Sequence, residues 1–285
     1  MSSSLSRFTC SLTRRLDKPR GLERLVRRLL PNTSFSPDDY FSLQLDGFKV
    51  KVRPASHVGW HLYCFGNYET SLRTLIQSHV KEGAVCLEIG ANIGWHTLLL
   101  SKLVGDAGKV HAFEPNPSVL SDLREHLAMN AATNVTLWPM ALSDHRGLAR
   151  FNAPIAGSSG AGDGHLITSA NEVDTGKGVE VQMETIDHLF SGLERLDFIK
   201  IDVEGWEPAV WKGAMETLRR HRPVICLEQL PEHLQRAGFR TSEATEPLLS
   251  LGYQLFSFDD RRPPSPLLDF GHYAGDILAV SSTIH

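Results

Sequence analysis

The feature that most constrains this chain is a pair of turns set one strand and one helix apart. Residues 85–94 read Val-Cys-Leu-Glu-Ile-Gly-Ala-Asn-Ile-Gly, and Phe113-Glu114-Pro115-Asn116-Pro117 follows. A short apolar strand runs into a glycine-rich turn that opens a helix, and the next strand ends on a carboxylate. Strands that alternate with helices form a parallel sheet covered on both faces. A glycine-rich turn beside a strand-end carboxylate suits a ligand containing a nucleoside. The glycines let backbone approach it, and the carboxylate accepts both ribose hydroxyls.

The glycine spacing narrows the choice. A dinucleotide turn needs glycines at i, i+2 and i+5. Here Gly90, Asn92 and Trp95 occupy those places. A phosphate loop would continue into Gly-Lys-Ser/Thr, and none follows. What remains is Glu88-x-Gly90-x-Asn92-x-Gly94, a shorter loop with no pyrophosphate cradle. It resembles the first motif of methyltransferases that use S-adenosylmethionine (SAM).

Periodicity places the other elements. Phe41–Val52 alternates apolar and polar residues around Asp46-Gly47, a hairpin signal. Tyr68–Val80 reads as a helix. The core then gives strand Val85–Ile89, helix Trp95–Val104, strand Lys109–Glu114, helix Ser118–Asn130 capped by Asn116 or Ser118, and strand Val135–Met140. After this the alternation breaks. Gly157–Gly164 holds four glycines and two serines and reads as a flexible loop, a candidate lid. An extra strand is expected at Val179–Glu184 and a short helix start at Thr185–Leu189. The fourth core strand is Leu196–Asp202, followed by one helix from Glu207 or Pro208 to about Arg220. The fifth is Val224–Glu228. A helix over 242–251 leads to Tyr253–Phe258, which pairs antiparallel with Asp276–Ser281. The expected partition is a basic arm over 1–30, a hairpin and helix extension over 31–80, and a ligand-binding domain over 81–285.

The chain has 285 residues, 41% hydrophobic and 22% charged, enough to fill a sizeable core. Cys10, Cys64, Cys86 and Cys226 are far apart, with no Cys-x-x-Cys spacing, and read as free thiols of a reducing, cytoplasmic compartment. No apolar run approaches the ~18 residues of a transmembrane helix, and no signal-peptide apolar core is seen. Net charge is −4, but residues 1–30 hold eight Lys/Arg against two Asp/Glu, so the first thirty residues carry +6 and the rest −10. Within that arm Leu22, Leu25, Val26 and Leu29 fall on one helical face, expected to pack on the protein rather than on a membrane. An acidic body disfavours nucleic acid, and only the basic arm argues the other way.

Four patterns together resemble the FkbM family of SAM-dependent methyltransferases. They are Gly66-Asn67-Tyr68-Glu69, the Glu88–Gly94 loop, Phe113-Glu114-Pro115-Asn116, and Ile199-Lys200-Ile201-Asp202-Val203-Glu204-Gly205-Trp206-Glu207. Ala141-Leu142-Ser143-Asp144 and Thr185-Ile186-Asp187 also fit, so the resemblance covers roughly 60–230. It departs mildly at Glu88, where Asp is common. It implies a Rossmann-like class I methyltransferase fold, with a mostly parallel sheet and one antiparallel strand, here carrying an N-terminal β-hairpin extension. It further implies SAM as cofactor and methylation of a hydroxyl on a sugar, glycan or small natural product. Methylation of RNA or protein, and SAM binding without catalysis, are the competing readings.

On that resemblance Glu88, Gly90, Asn92 and Gly94 border the methionine portion of the cofactor. Glu114 takes the ribose diol, and Ser143 and Asp144 take the adenine. Asp202 and Glu204, at a strand end that faces the methyl donor, are the first and second candidates for acceptor contact or general base, with His96 a third. A divalent cation held by Asp202, Glu204 and Glu228 is a minor alternative; no metal is expected. Lys200, inside a core strand, needs a partner such as Glu88 or Glu228. His57, His61, His221 and His233 show no ligand spacing. The sequence names neither the acceptor nor the oligomeric state.

Overall fold

The computed structural model describes residues 21–154, 164–167 and 178–282. Cys10, most of the basic arm and all of the glycine-rich loop except Gly164 lie outside them. The chain divides into two compact units, one containing residues 21–69 and 154, the other 70–153 with the later described residues.

The first unit holds α1 (Leu22–Leu29), β1 (Phe41–Leu45), β2 (Phe48–Val52) and α2 (His57–Phe65). The hairpin forms as expected. Leu45 pairs with Phe48, and both turn residues are left-handed, Asp46 at φ 50° and Gly47 at φ 85°. That is the turn whose twist matches paired strands. On β2, Phe48, Val50 and Val52 are buried while Lys49 is exposed. The arm helix forms too, but its apolar face is narrower than expected. Leu25 and Leu29 are 54% and 57% exposed, and Val26 and Leu30 are the buried pair. They are fixed by Trp60 of α2, whose indole N–H donates to the Leu30 carbonyl at 2.7 Å while the Arg27 guanidinium lies 4.5 Å over its ring. Sequence pattern missed α2. Its residues are apolar nearly all round and buried from Gly59 to Phe65, so no 3.6-residue alternation marks it.

The second unit begins with α3 (Thr70–His79), then β3 (Val85–Ile89), α4 (Trp95–Val104), β4 (Lys109–Phe113), α5 (Pro117–Met129) and β5 (Val135–Trp138). Four strands follow: β6 (Ala141–Leu142), β7 (Gly147–Asn152), β8 (His165–Leu166) and β9 (Val179–Glu184). The chain continues through α6 (Ile186–Leu189), β10 (Phe198–Ile201), α7 (Glu207–Lys212), α8 (Met215–His221), β11 (Val224–Gln229), α9 (Pro231–Arg236), α10 (Glu246–Ser250), β12 (Tyr253–Asp259), β13 (Arg262–Pro266) and β14 (Gly275–Ser281).

Eight strands form the main sheet in the order β13-β12-β14-β11-β10-β3-β4-β5. The β5, β4, β3, β10 and β11 strands are mutually parallel, and β14 runs against both β11 and β12. Seven of these strands therefore make the expected, mostly parallel α/β sheet with one reversed strand. The eighth, β13, adds an edge strand within the connection between β12 and β14. Its sequence Arg-Pro-Pro-Ser-Pro cannot donate along a full ladder, and it lies at the sheet edge, where proline is tolerated.

Alternation along the central strands sends side chains to two faces. Leu87, Ile89, Ile199, Ile201, Ile225 and Leu227 pack with Val210, Trp211 and Leu218. Cys86, Phe198 and Cys226 pack on the other face with Leu72, Ile76, Leu99 and Leu100. Each fully buried side chain of this kind contributes roughly 1.5–3 kcal/mol.

Three boundaries differ from expectation. The helix read from Glu207 to Arg220 is broken at Gly213. A Cβ there would stand 2.1 Å from the Ser143 carbonyl oxygen, so this turn abuts another segment's backbone. The helix read over 242–251 splits into a 3-10 turn at Thr241–Ala244 and α10, which begins at Glu246-Pro247. The third strand stops at Trp138, and β6 and β9 pair in a second sheet of order β6-β9-β7-β8.

Candidate active site

Parallel strands deliver their carboxyl ends to one edge. Between β3 and β10 the chain changes direction across the sheet, moving outward to β4 and β5 on one side and to β11 on the other. Ligands in open α/β sheets sit outside such a switch point.

The turn after β3 is held by the protein's own backbone. Gly90 and Ala91 N–H groups both donate to the Phe113 carbonyl, at 3.0 and 2.9 Å. Gly90 has φ 84°, and a Cβ there would lie 1.9 Å from the Asp202 carbonyl oxygen. Gly94, at φ 87°, caps α4, and a Cβ there would meet Leu123 at 2.4 Å. Asn92 adopts φ 49°, and its side-chain oxygen accepts from Ile93 N–H at 2.8 Å. Both glycines are thus required by close contacts within the protein.

Glu114, 6% exposed, ties this turn to the next. One carboxylate oxygen accepts from Asn92 N–H and the other from Asn116 N–H, each at 2.8 Å. Capping of α5 is left to Asn116, whose side chain accepts from Ser118 N–H at 3.0 Å. Burial pushes the Glu114 pKa up to about 7, against the pull of the two amides and of Lys200. Each carboxylate oxygen can accept about two hydrogen bonds, so each keeps capacity for one more donor.

Beyond β6, Ser143 is fully buried. Its hydroxyl donates to Asp144 at 3.2 Å and accepts from the Trp206 indole N–H at 3.2 Å. Asp144 is 41% exposed and receives His145 Nδ1 at 2.6 Å. Burial would raise its pKa, but the bonds from His145 and Ser143 outweigh that and hold it below the ordinary value.

At the end of β10, Lys200 is 5% exposed, and its ammonium donates to the Gly90 carbonyl at 3.1 Å and pairs with Asp202 at 3.4 Å. Its cross-strand neighbour is Glu88, itself 1% exposed. Next comes a tight turn with Glu204 at φ 57° and Gly205 at φ 97°. Glu207 closes it, one oxygen accepting from Val203 and Gly205 N–H at 3.2 and 3.4 Å. Burial lifts the Glu207 pKa to about 7. The Glu204 carboxylate lies 2.7 Å from His233 Nδ1 and 3.7 Å from Arg236. A small recess opens here, lined by His165, Leu166, Val203, Glu204, Trp206 and Arg236.

The structure therefore gathers Gly90, Glu114, Lys200 and Asp202 at the switch point. Ser143 and Asp144 join through Trp206, and Glu204 stands further out against α9. His96 is 5% exposed in the first turn of α4. Glu228, one residue before the end of β11, registers opposite Asp276. Among the described residues no three His, Cys, Asp or Glu side chains converge as a metal set, and Glu204 faces His233 rather than Asp202 and Glu228. Sequence reading set His233 aside for want of ligand spacing, took Glu207 only as a motif residue and helix start, and gave Arg73 no role. Arg73 is buried on α3, its guanidinium 4.2 Å over the Trp95 ring and donating to the Trp95 carbonyl at 3.1 Å, so it steadies the start of α4. The signal for His233 was its place, a histidine in the first turn after a core strand, on the ligand edge.

The family described as the methyltransferase FkbM domain matches residues 88–255. The 2-O-methyltransferase NoeI of Sinorhizobium fredii is 29% identical over 165 residues, which span 53% of this chain and 65% of that protein. Among solved structures, a methyltransferase FkbM from Methylobacillus flagellatus is 16% identical with TM-score 0.43, covering 70% of this chain and 44% of its own. An Aeropyrum pernix fibrillarin with bound SAM is 14% identical with TM-score 0.43, covering 86% and 84%. The family match takes in every motif of the switch-point edge and more than half of the sequence: the chain belongs to the FkbM methyltransferase family.

Proposed function

We propose that the protein is a SAM-dependent methyltransferase whose acceptor is a hydroxyl on a sugar, glycan or small natural product. The observation that carries the cofactor reading is Glu114. It clasps the turns after β3 and β4 with one amide on each oxygen. What it has left, one acceptor site per oxygen on a fixed carboxylate, matches a vicinal diol. The donor set fits in order across the edge: Glu114 for ribose, Asp144 held by Ser143 for the adenine amine, and the Glu88–Gly94 turn for the methionine end. His96, buried in the first turn of α4, remains the third candidate for acceptor contact.

The cofactor would supply an electrophilic methyl group on a sulfonium. The protein's share is to place a hydroxyl in line with it, to exclude water and to remove a proton. Asp202, paired with Lys200, borders that place, and Glu204 and Arg236 line the recess beside it. The acceptor class is supported by the 2-O-methyltransferase relative and by the acidic balance of residues 31–285. The free, buried thiols of Cys86 and Cys226 suit a reducing, cytoplasmic setting.

The test is transfer of labelled methyl from SAM to a panel of methyl glycosides, with RNA and protein extracts alongside. Glycoside labelling with matching release of S-adenosylhomocysteine (SAH) is expected. Labelling confined to RNA or protein would overturn the acceptor class.

A further inference from the structure

We propose that His233, oriented by Glu204, is the general base that takes the acceptor's hydroxyl proton. The proposal rests on the methyltransferase reading above and names the group that does its proton chemistry.

Three contacts fix the pair. His233 Nδ1 stands 2.7 Å from the Glu204 carboxylate. The Arg236 guanidinium donates to the Glu204 backbone carbonyl at 3.0 Å and lies 3.7 Å from the same carboxylate oxygen that faces His233. The backbones also touch: a Cβ on Gly205 would meet the His233 carbonyl oxygen at 2.3 Å. The turn after β10 and the first turn of α9 after β11 are therefore seated on one another, at the ends of adjacent strands. Glu204 holds φ 57°, a left-handed conformation uncommon for a non-glycine residue. Such strain persists only where the surroundings impose it, and it collects at functional sites.

The chemistry follows from the two ring nitrogens. A carboxylate beside Nδ1 places the neutral ring's proton there and leaves the Nε2 lone pair to accept. His233 is 22% exposed, against 13% for Glu204, so the ring is reachable while its anchor is shielded. In the reaction the acceptor oxygen forms a bond to the methyl carbon as the carbon–sulfur bond breaks, its electron pair staying on sulfur. The hydroxyl proton passes to Nε2. The resulting imidazolium is paired with Glu204 and then loses its proton to water.

The charged groups acting on the ring are Glu204 and Glu232, which favour its protonation, and Arg236, which opposes it. Glu204 dominates and holds the pKa above the ordinary histidine value, outweighing burial. Turnover governed by this base rises with pH through that pKa.

The first test needs no acceptor. In the full chain with 15N-labelled histidine, the His233 ring signals, assigned by their loss in His233→Gln, report tautomer and titration. The proposal expects a proton on Nδ1, a bare Nε2, and a pKa that falls in Glu204→Gln. A proton on Nε2, or a titration that ignores Glu204→Gln, overturns it. The second test is methyl transfer to a methyl glycoside. His233→Gln should lose about 10²–10³-fold in kcat, and the rising pH limb, with KM and SAH affinity unchanged. Wild-type kcat and pH profile in His233→Gln, whatever its thermal stability, would also overturn it. Absence of SAH binding by the wild type would instead fail the methyltransferase reading, while the ring measurement would still judge the pair.

Discussion

Glu114 and Glu207 are buried acids on one edge, both lifted to about 7, and each accepts backbone N–H groups. For Glu114 the ligand-facing consequence is direct. In the proposed complex ribose hydroxyls would donate to the ionised carboxylate, so SAH affinity should be full above pH 7 and weaken toward tenfold per pH unit below it. Calorimetric titrations from pH 5.5 to 8 would show this, and Glu114→Gln should flatten the profile. For Glu207 the consequence is stability. The unfolded chain releases this proton near 4.5 and the folded chain near 7, so folding holds the extra proton between them. The contribution is therefore present below about 4.5 and is lost as pH rises through about 7. Glu207→Gln keeps an oxygen for Val203 and Gly205 and removes the titration. The loss of unfolding free energy between pH 5 and 7.5, read from chemical denaturation, should shrink in that variant by on the order of 1–3 kcal/mol. Glu88, Glu114 and Asp202 were legible in the sequence because each ends, or nearly ends, a readable strand. The Glu204–His233 pair was not, because it depends on two turns 29 residues apart in number meeting at neighbouring strand ends, which no local spacing encodes.

At the scale of elements, the chain announced what is locally determined. The Asp46-Gly47 turn fixed its hairpin, and Asn116-Pro117 opened α5 where capping chemistry places a start. Helix α4 spans Trp95–Val104 as its pattern indicates. What stayed hidden depends on partners distant in sequence. The β7 strand, Gly-Leu-Ala-Arg-Phe-Asn, has little strand character of its own and is held by pairing with Val179–Glu184. The break between α7 and α8 likewise belongs to Gly213, which lets that turn sit against the Ser143 carbonyl. Since Ser143 holds Asp144, this contact reaches the proposed adenine end. Gly213→Ala should cost about 1–3 kcal/mol by overpacking and should also weaken SAH binding. Chemical denaturation and calorimetry on the same variant check both. Lost stability with intact binding would mean that the Ser143 turn moves independently of the ligand.

At the scale of the molecule, sheet order does the assembling. One reversed strand and a switch between β3 and β10 bring carboxyl ends from five parallel strands to a single edge, and nearly every motif residue follows them there. Alternation of strands and helices predicted that edge, and the FkbM resemblance supplied its order of use; the β13 extension and the second sheet came only from the structure. The account's central claim is that Glu114 holds the cofactor ribose there. The most direct measurement is calorimetric titration of SAH into the wild type and Glu114→Gln at pH 8. The account predicts micromolar binding that weakens by about 10–100-fold in the variant, the loss of one or two charge-assisted hydrogen bonds. Equal affinity in both proteins, or no binding by folded wild type, would contradict it.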